Sequence, residues 1–174
     1  MPVRIETAIE MAASPALVWS VLMDFDAYFE WNPFVLQIRG PAVPGKHLLV
    51  SLRPPGRARI MSFKPRVLKV VDEREFRWLG RLIVPRLFDG EHYFRLEPIG
   101  TTGVRLIHGE VFSGFLVVLA KGSLLNSTRR GFDEMNSALK RRVESLSENV
   151  RRDSSDVVEV ARSTQRLSEW PSHQ

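Results

Sequence analysis

Residues 3 to 11 alternate in character. Val3, Ile5, Thr7, Ile9 and Met11 fall on one side of an extended chain, and Arg4, Glu6, Ala8 and Glu10 on the other. A period of two predicts a half-buried strand. Ser14-Pro15 follows, an N-cap with proline at the first helical position. Leu17, Val18, Val21, Leu22 and Phe25 then recur at helical spacing. This helix is expected to end near Asp24 to Asp26, with a second short turn through Ala27-Tyr28-Phe29-Glu30. Trp31-Asn32-Pro33 stops it, because a residue before proline resists the helical region.

From Phe34 to Ser113 the pattern is that of strands and turns. Breakers stand at Gly40-Pro41, Pro44-Gly45, Pro54-Pro55-Gly56, Asp72-Glu73, Asp89-Gly90 and Gly100 to Gly103. They delimit strands over 34–40, 46–53, 58–71, 74–83, 89–97 and 103–113, an antiparallel meander at hairpin spacing. Pro65 and Pro85 mark bulges or edge positions. A long helix closes the pattern. Leu125, Thr128, Phe132, Met135, Leu139, Val143 and Leu146 form one apolar stripe. Phe115 to Leu125 leads into it, with a kink near Gly122, and Gly131 is a weak point in its interior. Beyond Ser147 the stripe fades. The chain therefore divides into a domain over 1–147 and a tail over 148–174, a helical extension or disordered.

The class is α+β: a curved antiparallel sheet of about seven strands wrapped around one long C-terminal helix, with two short helices after strand 1. Such a sheet, with strands about 4.8 Å apart, is far wider than a helix about 10 Å across. An apolar void is the expected by-product, and such a void is a ligand site by default.

Composition narrows the chemistry. The chain has 174 residues, 44% of them apolar and 26% charged, and no cysteine. Thiolate nucleophiles, disulfides and cysteine metal sites are excluded. No signal peptide is visible, and the most apolar run, Gly114 to Ala120, is too short to span a bilayer. A soluble, cytoplasmic protein is expected. The net charge is +5, with eleven Lys/Arg against three acids between Lys46 and Arg86. Outward strand positions kept charged for solubility explain this, and so does a basic face for an anionic partner. No nucleic-acid motif is present, and no phosphate loop or G-x-S-x-G elbow.

Several stretches together resemble one known group. Asp24-Phe25-Asp26-Ala27-Tyr28-Phe29-Glu30-Trp31-Asn32-Pro33-Phe34, Phe63-Lys64-Pro65-Arg66-Val67, Phe76-Arg77-Trp78-Leu79-Gly80, Gly90-Glu91-His92-Tyr93-Phe94 and His108-Gly109-Glu110-Val111-Phe112-Ser113-Gly114 are similar to the START-like (SRPBCC) superfamily. They fit its bacterial polyketide cyclase/dehydrase-like (lipid transport) branch, over residues 3–146. The resemblance implies a helix-grip fold with a deep hydrophobic cavity. Members bind lipids, sterols, polyketides or plant hormones, and some are cyclases or dehydratases. Fold alone does not choose among these.

Four histidines exist: His47, His92, His108 and His173. His173 lies in the tail. His92, Phe94 and Leu96 share one strand face; Leu106, His108, Glu110 and Phe112 share the next. Pairing 96 with 106 sets His92 opposite Glu110 and Phe94 opposite His108; a two-residue slip sets His92 opposite His108. Either way two imidazoles and a carboxylate converge on the concave face. A carboxylate facing a histidine favours the charged form of both and suits acid–base work. The same set could be a buried hydrogen-bonded pair or an anchor for a ligand head group. It also has the composition of a metal facial triad, which the fold does not imply, so neither metal nor cofactor is expected. The candidate ligand-binding residues are Trp31, Phe34, Phe63, Trp78, His92, Phe94, His108, Glu110, Phe112, Phe132, Met135 and Leu139; His92, His108 and Glu110 are the catalytic candidates. Phe76 is a further aromatic candidate for the wall, and Trp19 packs the first helix.

Three functions compete. The first is binding or carriage of a hydrophobic small molecule such as a lipid or polyketide. The second is a cofactor-free lyase or isomerase of the cyclase/dehydratase type. The third is an interaction module that meets a partner, or transiently an anionic membrane, through its basic face. Monomer and homodimer both remain open.

Overall fold

The computed structural model describes residues 2–81, 89–114 and 122–168. The expected strand end at 82–83, Pro85, most of the 115–125 lead-in and His173 lie outside these residues. Strand β1 is Val3–Met11, with Ile5, Thr7 and Met11 buried in the predicted alternation. Helix α1, Pro15–Met23, is capped by Ser14, whose hydroxyl accepts from Leu17 N at 3.2 Å. A 3-10 turn at Phe25–Ala27 leads into α2, Tyr28–Trp31, and Asn32 turns extended before Pro33 as expected. Asn32 Oδ1 then accepts from the amides of Phe34 and Val35, so the breaker also launches the next strand.

The remaining strands are β2 (Val35–Arg39), β3 (Leu49–Leu52), β4 (Met61–Phe63), β5 (Arg66–Val71), β6 (Glu75–Arg81), β7 (Asp89–Ile99) and β8 (Gly103–Ser113). They form two sheets, β1-β8-β7-β6-β5 and β2-β3-β4. The run expected as one strand over 58–71 is two, parted at Lys64-Pro65, because proline supplies no ladder N–H. A seam joins the sheets. Gly45 N donates to Val67 O, Leu48 N to Pro65 O and Val67 N to Lys46 O, at 2.8–2.9 Å. Wrapping therefore continues through a joint, where the sequence suggested one unbroken sheet.

Helix α3, Ser123–Ser168, crosses the concave face. It advances along β1: Asn136 reaches Thr7, Lys140 Nζ donates to Glu10 O at 2.7 Å, and Glu144 Oε1 accepts from Ala12 N at 2.9 Å. Gly122 precedes it with φ +86, a conformation that favours glycine. The helix continues past Ser147 to Ser168. Among the described residues no helix is long and apolar enough to cross a membrane.

The outer face of the larger sheet is polar and paired. Arg77 bonds Glu75 and Glu91, and Lys69 bonds Glu75. Tyr93, 2% exposed, lies under Arg4 and Arg77 and donates to Glu6 at 2.6 Å. The apolar residues of the opposite parity, with α1 and α3, make the core.

Candidate functional site

The β7–β8 hairpin decides which side chains meet. Its turn places Gly100 at φ +56 and pairs Ile99 with Gly103. From there Leu96 faces Leu106, Phe94 faces His108 and His92 faces Glu110; the slipped register does not occur. Trp78 on β6 is the other neighbour of His92, and Ile5 on β1 the other neighbour of Glu110.

A chain of hydrogen bonds starts at the sheet's own backbone. Thr7 Oγ1 donates to His108 O at 3.3 Å, and Asn136 Nδ2 donates to Thr7 Oγ1 at 2.9 Å. The other amide atom, Asn136 Oδ1, lies 2.8 Å from His108 Nδ1. A carbonyl oxygen only accepts, so His108 Nδ1 carries the proton. In neutral His108 the Nε2 then holds a lone pair, and His92 Nε2, 3.1 Å away, must donate to it. His92 Nδ1 is left with a lone pair, facing Glu110 Oε2 at 3.7 Å. The polarity of the chain is thus dictated from the Thr7 end.

Aromatic rings hold the imidazoles still. His92 stacks on Trp78, with centroids 4.4 Å apart and planes within 7°. His108 is sandwiched between Phe132 at 3.8 Å and Phe94 at 4.5 Å. These walls also strip water from the charged forms. Burial lowers the His92 pKa to about 3 and raises that of Glu110 to about 8. His108 falls well below the ordinary histidine value, first through burial and then through His92. The charged His–Glu pair expected from the sequence is therefore not what the fold makes. At 3.7 Å the two groups are too far apart for a hydrogen bond, and desolvation outweighs their attraction.

Glu110 has room. Its side chain keeps 19% of its surface accessible, and it makes no hydrogen bond with any described residue. Gly90 provides part of that room, since a Cβ there would collide with Glu110 Oε1. Gly80, paired with Gly90, likewise lets the Phe63 ring approach.

The other candidates occupy several settings. Trp78, Phe94 and Phe112 are buried on the concave face around His92 and Glu110. Phe76, also buried, packs against Trp78 one pair further along. Phe132, Met135 and Leu139 are 0% exposed on α3, enclosed by other side chains, so they back the cluster. Phe34 covers Gly131 and meets Phe132 edge-on. Trp31 is half-buried on α2 beside Tyr28, and its indole N–H is buried without a partner among the described residues, as are Asn32 Nδ2 and Ser127 Oγ. His47 is exposed, far from the cluster in the ladder, at the seam with Arg66. Among the described residues no group of three His, Asp or Glu side chains is placed to hold a metal ion. Both His108 nitrogens are already committed within the protein.

Sequence reasoning missed Thr7 and Asn136 as parts of the site. The signal was present: Asn136 lies four residues after Phe132 and three before Leu139, a polar side chain inside the apolar stripe. Thr7 is the one polar residue on the inward face of β1.

This arrangement can be set beside known proteins. Residues 2–154 match the family described as polyketide cyclase/dehydrase and lipid transport. The chain belongs to this family. Solved structures agree on the fold. A START superfamily protein from Mycobacterium smegmatis superposes with a TM-score of 0.66 at 21% identity, covering 82% of this chain and 98% of that one. The Zhui aromatase/cyclase from Streptomyces sp. R1128 gives 0.66 at 16%, covering 83% and 94%. A norcoclaurine synthase point mutant from Thalictrum flavum gives 0.65 at 16%, covering 84% and 97%. No curated protein matches the sequence. This member of the polyketide cyclase/dehydrase and lipid-transport family thus has a START-like, helix-grip architecture.

Proposed function

We propose that this protein binds a hydrophobic small molecule on its concave face, with Glu110 and His92 as the polar end of the site. One observation carries the reading. Glu110 sits among apolar walls with no hydrogen bond to a described residue, yet part of its surface stays reachable. Buried polar groups are almost always satisfied, so an unsatisfied one beside open space asks for a ligand. The unpartnered indole N–H of Trp31 offers a further donor. The family description names both catalysis and lipid transport, and the START-like relatives include an aromatase/cyclase and a norcoclaurine synthase bound to a transition-state analogue. Native mass spectrometry of gently purified protein should show a co-purifying apolar mass. Stripped protein should then take up an environment-sensitive apolar dye, and Gly90→Ala, which pushes Glu110 into the open space, should lower that uptake at least tenfold. Unchanged uptake in Gly90→Ala would place the ligand elsewhere.

Carriage is favoured over catalysis by the state of the imidazoles. A base whose pKa is about 3 is a weak proton acceptor at neutral pH. Glu110, near 8, is the one group of the cluster poised to exchange a proton there. If a cyclase or dehydratase step occurs, Glu110 carries it, and Glu110→Gln abolishes turnover while dye uptake persists.

A second reading concerns delivery. Between Lys46 and Val71 the chain holds seven Lys/Arg and no acid. Six of them (Lys46, Arg53, Arg57, Arg59, Lys64 and Arg66) form no ion pair with a described residue, whereas Lys69 is paired. Ile60 and Met61, each 47% exposed, stand among them. Cations around exposed apolar side chains suit an anionic bilayer surface. Vesicles with 30% phosphatidylserine should sediment the protein at low salt and release it as ionic strength rises, and Arg57→Glu/Arg59→Glu should abolish binding. Equal binding to neutral vesicles would reject this reading.

A further inference from the structure

The polar end of the site has a fixed hydrogen-bonding polarity. Thr7 donates to a main-chain carbonyl, and each later bond in the chain inherits its direction from that one. The chain ends on two unmet needs. His92 Nδ1 presents a lone pair without a donor. The carboxyl of Glu110 holds a proton without an acceptor, since burial keeps it neutral up to about pH 8 and its nearest partner stands 3.7 Å off. Among the described residues, the ladder neighbours and ring contacts of the pair are Ile5, Trp78, Phe94, Phe132 and the neutral His108, none of them charged; Thr7 and Asn136 reach it only through His108.

We infer that the ligand's buried polar group is an uncharged hydroxyl, of an alcohol, phenol or enol, that donates to His92 Nδ1 and accepts from Glu110. This rests on the binding reading above and sharpens it. A hydroxyl oxygen carries one proton and two lone pairs, so a single atom within reach of both groups satisfies both. A ketone oxygen only accepts and leaves the imidazole lone pair unmet. A carboxylate or phosphate brings negative charge to a lone pair with no cation behind it among the described residues, and would be desolvated without compensation. An ammonium satisfies His92 but has no lone pair for the proton of Glu110, so it leaves that O–H unmet and buries a charge among aromatic walls. Thr7 and Asn136 act as positioning residues: they touch no ligand, but they set which imidazole nitrogen bears the proton.

A matched series on one scaffold tests the inference. Stripped protein is titrated at pH 6.5 with naphthalene, 2-naphthol, 2-acetonaphthone, 2-naphthoate and 2-naphthylmethylammonium, followed by calorimetry and tryptophan fluorescence. The expected result is 2-naphthol about tenfold tighter than naphthalene or the ketone, with both ions weaker still. Nitrogen-15 spectra of the imidazoles should show His108 protonated at Nδ1, His92 at Nε2, and a shift confined to His92 Nδ1 when 2-naphthol binds. Thr7→Val should erase the hydroxyl preference while leaving naphthalene affinity within twofold, and Thr7→Ser should keep it. Equal affinity for naphthalene and 2-naphthol overturns the hydroxyl assignment and leaves the apolar site standing. Tighter binding of either ion, or the opposite tautomers, overturns the assignment as well. No binding of any member of the series overturns both this inference and the reading beneath it.

Discussion

Glu110 keeps its proton because of where the chain puts it, since no cation or donor among the described residues is within bonding reach. The energetic consequence has a definite sign. Its folded pKa, about 8, lies above the ordinary 4.5, so between those values the native state holds a proton that the unfolded chain releases. Stability from this group is full below pH 4.5 and lost as pH rises through 8. His92 and His108 act oppositely. Their folded values lie below 6.5, so the unfolded chain binds more protons as pH falls, and acid destabilises the fold. The cluster therefore stabilises most near pH 6.5. Glu110→Gln should remove the alkaline limb, gaining roughly 2–5 kcal/mol over the parent by pH 9 in urea unfolding, and leave the loss of stability below pH 4.5 unchanged. An unaltered alkaline limb in Glu110→Gln would show that Glu110 titrates normally. Much of this cluster was legible beforehand, because strand parity and a short glycine turn fix which side chains oppose one another. Charge state was not legible. It depends on how completely Trp78, Phe94 and Phe132 exclude water, a three-dimensional quantity that no spacing encodes.

Elements show the same division. Ser14-Pro15 and Asn32-Pro33 announced the ends of helices, since capping and proline sterics act within a few residues. Gly131 misled. By propensity it is a flaw that alanine would repair by about 1 kcal/mol. In the fold a Cβ at 131 would collide with the buried ring of Phe34. Gly131→Ala is therefore expected to destabilise by about 1–3 kcal/mol in spite of the better helix former. Adding Phe34→Leu to Gly131→Ala should recover part of the loss, measured as the coupling in a double-mutant cycle of unfolding free energies. Additive effects would mean that the two residues do not touch. The split of 58–71 at Pro65 was half legible: the proline marked a fault in the ladder, but not that the partner strand changes there from β3 to β6.

For the molecule as a whole, the seam between the sheets matters most. One isolated bridge and a few main-chain bonds join β2-β3-β4 to the larger sheet. Segments with few buried ties open at lower free energy than the body they attach to. Native-state hydrogen exchange should find amides of Leu49–Leu52 and Met61–Phe63 protected less than those of β7 and β8, with slower exchange of the whole molecule only through global unfolding. Uniform protection would contradict this. Charge follows the same boundary. Acids neutralise the outer face of β5 to β7, while five of the six cations without an ion pair to a described residue lie in the loops around the smaller sheet and the sixth, Arg66, opens β5 at the seam. The cation excess over 46–86 pointed to a basic segment but not to which cations find acids, since Arg77 takes Glu91 from the neighbouring strand, 14 residues on.

The circuit from His108 through Asn136 and Thr7 back to the carbonyl of His108 spans β8, α3 and β1. It works as a clasp whose tongue is a single amide on the helix. Sliding α3 by one turn, about 5.4 Å, would carry Asn136 out of reach and leave the imidazole free to move its proton to the other nitrogen. The seating of the helix and the hydrogen-bonding sense of the site are one variable, so whatever tugs on α3 also rewrites what the interior will accept.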